Sequence, residues 1–325
     1  HEIAVQKERE RLRAIPFKNH GEFDYREVEE GDCSLIRPCF AVLDDRSEEE
    51  NPRIFCSQCC LLKNVPGSRK GRVWLAYKGN MSCCVAIPIK YFANNVVKEF
   101  LPIFCCIAIR DTFNKYAPGE FASKFPNDIV CRKHWKKCCG MLAKYYKKYA
   151  MCTFGVDLVD CPPDEYTRAH GLKACCLQKH TDKIPSFEDF LCTVTQNILD
   201  LMKQYDNIYK IVDFVNVSFC EYSRKTFSCE INNPNADPSV DGTTVCPNFP
   251  NAIVKGYING KPYVWDETLY DPIETPEDNN EYTKQLDMML DHELQLDIQI
   301  QNELEKKEQE ELKKKAEEES KKDQK

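Results

Sequence analysis

The sequence predicts an α+β fold in which antiparallel strands are packed by two amphipathic helices. From residue 53 onward, apolar runs of strand length are separated by turn-forming residues, which is typical of an antiparallel meander. Two longer stretches, 94–116 and 186–205, instead repeat their apolar residues at helical spacing. The chain has 325 residues and 42% of them are hydrophobic, so it can bury one large core or two modest ones.

The first part of the chain supplies strands and the first helix. Residues 1–22 are charged and are predicted to form a short helix or a loose arm, whereas 23–28 and 40–43 are apolar strand pieces. Further strands are predicted at 53–62, 73–75 and 81–89. The helix predicted at 94–116 ends at the sequence Ala117-Pro118-Gly119, which is a stop signal for helices.

The middle of the chain continues the sheet and ends in the second helix. Residues 121–130 are predicted to form one strand interrupted by a proline turn, and 139–144 and 149–158 to form two more strands joined by a basic turn. Ser186 is a good N-cap because acidic residues follow it in the first turn. It therefore predicts a helix that runs to about Tyr205.

Beyond residue 206 the pattern changes to short strands and then to a charged tail. Asn259-Gly260 predicts a hairpin turn, and 232–250 is rich in Asn, Pro, Asp and Gly and predicts a long loop. The strands are predicted at 208–217, 226–231, 252–258 and 262–265. Residues 277–325 are almost all charged, which indicates a solvated helix or a disordered tail.

Charge and hydrophobicity limit the classes of partner. A net charge of −7 gives no reason to expect nucleic acid as a partner. The longest apolar candidate, 100–109, is shorter than the ~18 residues of a membrane span, so we expect no membrane partner. The sequence begins at His1 without an initiating methionine or a secretory signal, and we interpret it as a fragment or processed product. We expect a cytoplasmic location, or an organellar one if an N-terminal segment is missing.

Twenty cysteines raise the question of disulfides or zinc. Most of them lie among apolar residues, and a chain of this size does not need covalent cross-links, so we expect small buried hydrophobes. Cys56 and Cys59 have the first half of a zinc spacing, but no second half follows at the required distance. The sequence therefore predicts no metal site and no protein-bound transition metal.

Four short motifs carry candidate chemistry. In 124–129, a lysine precedes a Pro-Asn-Asp turn, so its ammonium is held at a fixed place beside a strand. In 66–74, glycines alternate with the basic residues Arg69, Lys70 and Arg72, which suits a loop that approaches phosphate. The other two motifs are Lys137-Cys138-Cys139-Gly140-Met141-Leu142 and Phe154-Gly155-Val156-Asp157-Leu158. A solvated lysine turn and a basic hairpin are the alternatives that these residues leave open.

In order and spacing these motifs resemble the biotin–protein ligase (holocarboxylase synthetase) family. Its members show a Gly-Arg-Gly-Arg-x-Gly loop ending in Trp, then Lys-Trp-Pro-Asn-Asp, then Lys-x-x-Gly-Ile-Leu, then Gly-x-Gly-x-Asn. The resemblance covers about 25–205. This chain departs from it near the ligand, where Pro66, Gly67 and Ser68 replace Gly, Arg and Gly and Asp157 replaces Asn.

The resemblance implies the domain organisation. A mixed, mostly antiparallel sheet packed by helices is expected to form a catalytic domain at 23–205, after an N-terminal arm at 1–22. A small SH3-like β-domain is expected at 206–276, followed by a charged helical or disordered tail at 277–325.

The resemblance also implies the activity: ATP- and Mg2+-dependent attachment of biotin to a lysine of a biotin carboxyl carrier domain, through biotinyl-5'-AMP. Lys124 would contact both the biotin carboxylate and the adenylate phosphate, and Arg69 and Arg72 would clamp phosphates. The implied biotin- and adenylate-binding residues are Gly67, Ser68, Lys70, Gly71, Trp74, Asn127, Asp128, Lys137, Gly140, Gly155 and Asp157. Trp74 would wall the pocket, and Asp128 would orient the loop or a metal-bound water.

Two other functions remain open at this point. Because the altered positions cluster at the ligand, a catalytically weak or silent binding subunit would also keep this apolar framework. A lipoate ligase or transferase of the same fold is the third reading, which the Pro-Asn-Asp motif disfavours.

Overall fold

The structure is a computed structural model of the chain. It describes residues 10, 14–31, 46, 50–61, 65–66, 73–75, 77–94, 97–98, 100–124, 127–146, 148–164, 173–219, 221–222, 225–231, 254–258 and 261–263. The chain divides into two compact units, one of His1–Val65 with Trp74–Pro276 and the other of Pro66–Val73 with Glu277–Lys325. Pro66 and Val73 are the described residues of the second unit, so the description below concerns the first.

The described residues form fourteen strands. In chain order they are β1 Lys18–Asn19, β2 Phe23–Gly31, β3 Ile54–Leu61, β4 Val65–Pro66, β5 Val73–Trp74, β6 Met81–Pro88, β7 Phe121–Lys124, β8 Asp128–Cys131, β9 Lys137–Tyr146, β10 Tyr149–Val156, β11 Glu221–Tyr222, β12 Lys225–Ile231, β13 Val254–Ile258 and β14 Lys261–Tyr263. Eight of them build one sheet in the order β1-β2-β3-β6-β10-β9-β8-β7. Strands β2 and β3 are parallel and the other neighbours are antiparallel, which confirms the predicted mixed, mostly antiparallel sheet.

Three α-helices that accompany the sheet are described over their whole length. They are α1 Leu101–Tyr116, α2 Phe187–Gln204 and α3 Ile208–Ser218, and short 3-10 turns lie at Ile89–Tyr91 and Leu177–Lys179. Val97 and Lys98 are helical behind an Asn94 cap, within the predicted stretch 94–116, but the long helix begins at Leu101 because Pro102 suits only the first turn of a helix. The second confirms its predicted bounds, with the Ser186 hydroxyl accepting a hydrogen bond from the Asp189 N–H.

Helices α1 and α2 bury the main core against one face of the sheet. Nine consecutive residues of α1, from Leu101 to Ile109, are buried, so the first half of this helix is enclosed on every side, whereas Asp111 and Lys115 are exposed. The fourteen cysteines whose side chains are described are free thiols, and all but Cys192 are buried. For these cysteines the expectation of small buried side chains is confirmed.

The prediction of a strand at 208–217 is wrong, because this stretch forms α3. Asn207 caps the helix by accepting a hydrogen bond from the Lys210 N–H. Ile211, Val215 and Phe219 are buried at a spacing of four residues, whereas Tyr209 is 82% exposed. Short apolar runs fit either element, and here the asparagine cap and the helical spacing decide the outcome.

Strands β11 to β14 form a separate four-stranded sheet, which agrees with strands predicted at 226–231, 252–258 and 262–265. The predicted strand piece at 40–43, the loop at 232–250, the hairpin turn Asn259-Gly260 and the charged tail lie outside the described residues. The SH3-like assignment and the domain boundaries therefore stay predictions. Within the described part of the chain, no helix combines the length and the apolar character needed to cross a membrane.

Candidate functional site

One row of paired residues crosses the large sheet and collects most of the predicted site. Lys124 pairs with Asp128, Asp128 with Gly140, Gly140 with Gly155, and Gly155 with Ser82. Paired residues of neighbouring strands point to the same face of a sheet. The residues next to this row along their strands, Cys83, Phe154 and Met141, lie in the main core. The row therefore faces away from the core that the helices cover.

At the edge of this row, Asp128 is held between two lysines. Its carboxylate oxygens lie 3.3 Å from the Lys124 Nζ and 2.7 Å from the Lys137 Nζ. The side chains of Asp128 and Lys124 are 7% and 4% exposed, whereas that of Lys137 is 27% exposed. Burial alone would raise the pKa of Asp128, but the charges and hydrogen bonds of Lys137 and Lys124 lower it to about 2. At neutral pH the group is thus an ionised carboxylate with one buried and one accessible ammonium.

The two glycines of the row make room for two functional side chains. A Cβ on Gly140 would lie 2.7 Å from the Lys137 Nζ, and a Cβ on Gly155 would lie 2.7 Å from the Trp74 ring. The Lys137 Nζ also lies 5.8 Å from the centre of the Trp74 ring. The glycines therefore let Lys137 and Trp74 lie against the backbone, side by side over the sheet.

Two buried polar atoms, one in this row and one beside it, make no hydrogen bond within the described part of the chain. The Trp74 Nε1 and the Ser82 Oγ are buried and have no hydrogen-bond partner among the described residues. An unmet donor or acceptor is costly to bury, so such atoms commonly mark a place where a ligand or water binds. Ser82 was not predicted from the sequence to belong to the site. Its place in the site depends on its pairing with Gly155, which the sequence does not show.

Asn127 holds the turn that carries Asp128. Its side-chain amide donates to the Met141 carbonyl at 2.9 Å. Its backbone carbonyl accepts from the Met141 N–H at 3.0 Å. The side chain is thereby committed to the backbone of β9. Asn127 contributes to the site by fixing the geometry of the Lys124–Asp128 turn, and its expected contact with a ligand stays a prediction.

Asp157 lies just beyond β10 and is engaged by Asn80. The Asn80 amide donates to the Asp157 carboxylate at 2.8 Å, and the Asn80 carbonyl oxygen accepts from the N–H groups of Leu158 and Val159. Burial raises the pKa of Asp157 well above its usual value. Asn80 was not predicted from the sequence to contribute to the site. The one sequence feature that pointed to it is the preceding Gly79, which predicts a turn and has φ 89° in the structure.

The basic loop lies outside the described residues. Gly67, Ser68, Arg69, Lys70, Gly71 and Arg72 are not described, nor are Phe125 and Pro126. The phosphate-binding role of this loop stays a prediction. Of the other predicted residues, the structure brings together Lys124, Asp128, Lys137, Gly140, Gly155 and Trp74.

This arrangement suits the binding of an anion beside a flat apolar group. Lys137 presents a positive charge whose position is fixed by Asp128, and the indole of Trp74 provides an apolar wall next to it. A carboxylate or phosphate could replace part of the Lys137 hydration, while Trp74 and Ser82 offer the additional polar contacts.

No protein-family model matches the sequence, and no curated protein matches it. Among solved structures, the biotin protein ligase of Leishmania major in complex with biotin is similar, with a TM-score of 0.52 at 17% identity over 76% of this chain and 100% of that chain. The same enzyme in complex with biotinyl-5-AMP gives a TM-score of 0.49 at 16% identity over 74% of this chain and 98% of that chain. The biotin protein ligase of Aquifex aeolicus in complex with biotin and ATP gives 0.46 at 16% identity over 74% of this chain and 97% of that chain. The first similarity confirms the fold that the motifs implied.

Proposed function

We propose that this chain, which has the fold of biotin protein ligases, attaches biotin to a lysine of a biotin carboxyl carrier domain through biotinyl-5'-AMP. The observation that carries the proposal is the position of the Lys137 ammonium. It is fixed by Asp128 at 2.7 Å, lies over Gly140 and stands beside the Trp74 indole. This combination offers a charge for a carboxylate and an apolar wall for the rest of a small acid.

In the first step, a carboxylate oxygen of biotin attacks the α-phosphorus of ATP. A new P–O bond forms, the bond between the α-phosphorus and the bridging oxygen breaks, and pyrophosphate leaves with the bonding electrons. Negative charge moves from the carboxylate toward the phosphates during this step. A preorganised cation next to the reacting oxygens lowers the barrier if it interacts more strongly with the charge of the transition state than with that of the bound substrates.

We assign this cation to Lys137 and a positioning role to Lys124. The Lys124 side chain is 4% exposed and faces Asp128, so its charge acts on a ligand through that carboxylate. Lys137 is the more accessible of the two and makes the shorter contact with Asp128. The sequence-based expectation that Lys124 touches the carboxylate and the phosphate stays a prediction, and we propose Lys137 in its place.

Phosphate contacts are expected from the basic loop, where Arg69, Lys70 and Arg72 provide charge. Mg2+ would enter with ATP as the counter-ion of its phosphates. Both oxygens of Asp128 already face lysine ammonium groups, at 3.3 Å and 2.7 Å. Asp128 is therefore better suited to orient Lys137 than to hold a metal-bound water.

In the second step, the amine of a carrier lysine attacks the carbonyl carbon of the mixed anhydride. The amide bond forms, the amine loses a proton, and AMP leaves. The partner is then a carrier domain that presents one lysine to the face of the sheet bearing Lys137 and Trp74.

The test is pyrophosphate release by the purified chain with Mg-ATP and either biotin, lipoate or no acid. We expect release that depends on biotin, and biotin transfer when a carrier domain is added. Release with lipoate alone would indicate a lipoate ligase instead. Absence of release with either acid, in a folded protein that still binds biotin, would indicate a binding subunit without catalysis.

A further inference from the structure

A second group of side chains, apart from the anion site, brings two thiols and an imidazole together. One ligand atom each from Cys131, Cys175 and His180 lies within 4.8 Å of the other two. The Cys175 Sγ and the His180 Nε2 are 3.3 Å apart. Cys131 and Cys175 are buried, and the His180 side chain is 8% exposed. The three ligand atoms therefore converge inside the protein.

The backbone on either side of this cluster is fixed by hydrogen bonds. Cys131 is the last residue of β8, and its N–H donates to the Lys136 carbonyl at 2.9 Å across a tight turn. That turn contains Trp135 at φ 53°, which is rare for a residue with a side chain. The Cys175 N–H donates to the Lys137 carbonyl at 2.8 Å, and His180 follows the 3-10 turn Leu177–Lys179. The three side chains thus come from two segments, one ending at Cys131 and one running from Cys175 to His180, that the fold holds in place.

A carboxylate orients the histidine. The Glu120 Oε2 lies 3.0 Å from the His180 Nδ1. An ionised carboxylate accepts a hydrogen bond, so Nδ1 carries the proton and Nε2 is left with its lone pair toward the thiols. A carboxylate behind a histidine is the arrangement that commonly fixes and strengthens a metal-binding imidazole.

The spacing suits a tetrahedral ion. With bonds of ~2.3 Å to sulfur and ~2.0–2.1 Å to nitrogen, neighbouring ligand atoms in such a site are ~3.5–3.8 Å apart. The separation of 3.3 Å between Cys175 and His180 is slightly shorter, and the limit of 4.8 Å for the whole set leaves only small movements to complete the geometry. Cys138 is buried and shares a side-chain hydrogen bond with Cys175, but its thiol faces the Lys136 carbonyl at 3.6 Å and is not among the three converging ligand atoms, so it has to turn toward the ion to serve as a fourth ligand.

We propose that Cys131, Cys175 and His180, with Cys138 as the fourth ligand, bind one Zn2+ ion as a structural site. Binding displaces the three thiol protons to solvent, and the three thiolates and the neutral imidazole then hold the ion in a site with a net charge of −1. Cys131, Cys138 and Cys175 lie in the same main core as an ordinary buried cysteine such as Cys152. The cluster differs because its thiols face an imidazole that a carboxylate orients.

A zinc ion at this place would support the anion site through the backbone. The Lys137 carbonyl accepts from the Cys175 N–H, and the Lys137 N–H donates to the Lys173 carbonyl at 2.7 Å. Lys137 itself immediately precedes Cys138. The ion would therefore join β8, the start of β9 and the segment around Cys175, and would hold the residue that carries the site's accessible charge.

The test is metal analysis of the full chain, produced with zinc in the medium and purified without a metal-affinity tag. We expect about one zinc per chain by elemental mass spectrometry. His180→Ala and Cys175→Ser should each lower the zinc content at least about tenfold, while Cys152→Ser, a matched buried cysteine outside the cluster, should retain it. Removal of zinc by a chelator should lower the melting temperature of the parent but leave an already zinc-free variant unchanged.

Cobalt substitution keeps the proposal testable if the variants do not fold. Titration of chelator-treated parent protein with Co2+ alone should produce the charge-transfer absorption of thiolate-bound cobalt, with saturation at about one equivalent. A folded parent protein that contains no zinc and shows no such absorption would overturn the proposal. A disulfide between Cys131 and Cys175, detected by mass spectrometry of the unreduced protein, would also overturn it.

Discussion

Lys137 and Asp128 are joined by a 2.7 Å ion pair between adjacent strands, although the aspartate pairs in register with Gly140 and not with the lysine. The contact exists because Gly140 has no side chain, so Lys137 can reach along its own strand and lie over the glycine. Asp128 also contacts Lys124 at 3.3 Å. One carboxylate thus fixes an accessible ammonium and is itself balanced by a buried one.

Substitutions of the two lysines should differ in their effect on kcat/KM for biotin adenylation. Lys137→Met should lower kcat/KM for biotin adenylation by about a hundredfold or more, since a preorganised charge in a transition state is worth ~3 kcal/mol. Lys124→Met is the matched control, because each variant leaves Asp128 with one cation and should lose a similar ~1–3 kcal/mol of stability. Initial rates per folded protein provide the measurement. A larger loss of kcat/KM in Lys124→Met than in Lys137→Met would indicate that Lys124, and not Lys137, contacts the reacting oxygens.

The two glycines of the site should differ in their tolerance of a methyl group. In Gly155→Ala the new Cβ meets the rigid Trp74 ring at 2.7 Å, and we expect a loss of about 1–3 kcal/mol of stability with weaker biotin binding. In Gly140→Ala the new Cβ meets the flexible end of Lys137 at the same distance, so we expect the lysine to move aside and keep a longer contact with Asp128, with a stability loss below about 1 kcal/mol. Thermal melting and calorimetry with biotin would measure both. If Gly155→Ala melted at the same temperature as Gly140→Ala, Trp74 would not lie against Gly155.

Asp128→Asn should destabilise the protein by about 3–5 kcal/mol at neutral pH, because it leaves two neighbouring ammonium groups without their buried counter-charge. The lysines lower the pKa of Asp128 to about 2, against a burial effect that raises it, so its ionised form stabilises the fold. That stabilisation is fully present above the unfolded pKa of 3.8 and is lost as the pH falls toward 2. Urea titrations at several pH values should show the difference between parent and variant shrinking over this range. An equally large difference below pH 2 would argue against an ionic origin.

Asp157→Asn should stabilise the protein. Burial raises the pKa of Asp157, so ionising it costs stability as the pH rises above its unfolded value of 3.8. Asparagine keeps an oxygen for the Asn80 amide and does not ionise. We expect a melting temperature higher by roughly 2–4 °C at pH 7 and no gain near pH 3. A variant that melts below the parent at pH 7 would show that the carboxylate is stabilised by a charge that this account omits.

The sequence predicted the parts of the fold that depend on local signals. Ser186 and the acidic residues after it predicted the start of α2, because an N-cap acts within one turn. The stretch that became α3 was misassigned, since its short apolar run fits both periodicities and its outcome depends on which residues the core accepts. Local patterns therefore identified the start of α2, where a capping residue marks it, but not the type of an element whose apolar run was short.

The site could be predicted only as a set of motifs. The sequence grouped Lys124, Lys137 and Trp74 by resemblance, but it could not show which lysine is accessible, because that depends on strand register and on the space over Gly140. The cysteine and histidine cluster was missed for a related reason. Cys131 and Cys175 are far apart in sequence and meet only through the pairing of the segment around Ala174 with Lys137.

The most direct test of the account is detection of biotinyl-5'-AMP by mass spectrometry after incubation of the parent chain with biotin and Mg-ATP. The account predicts that the adenylate accumulates in the parent protein, in the absence of any carrier domain, and falls about a hundredfold or more in Lys137→Met. A folded parent chain that forms no adenylate, or a Lys137→Met variant that forms as much as the parent, would contradict it.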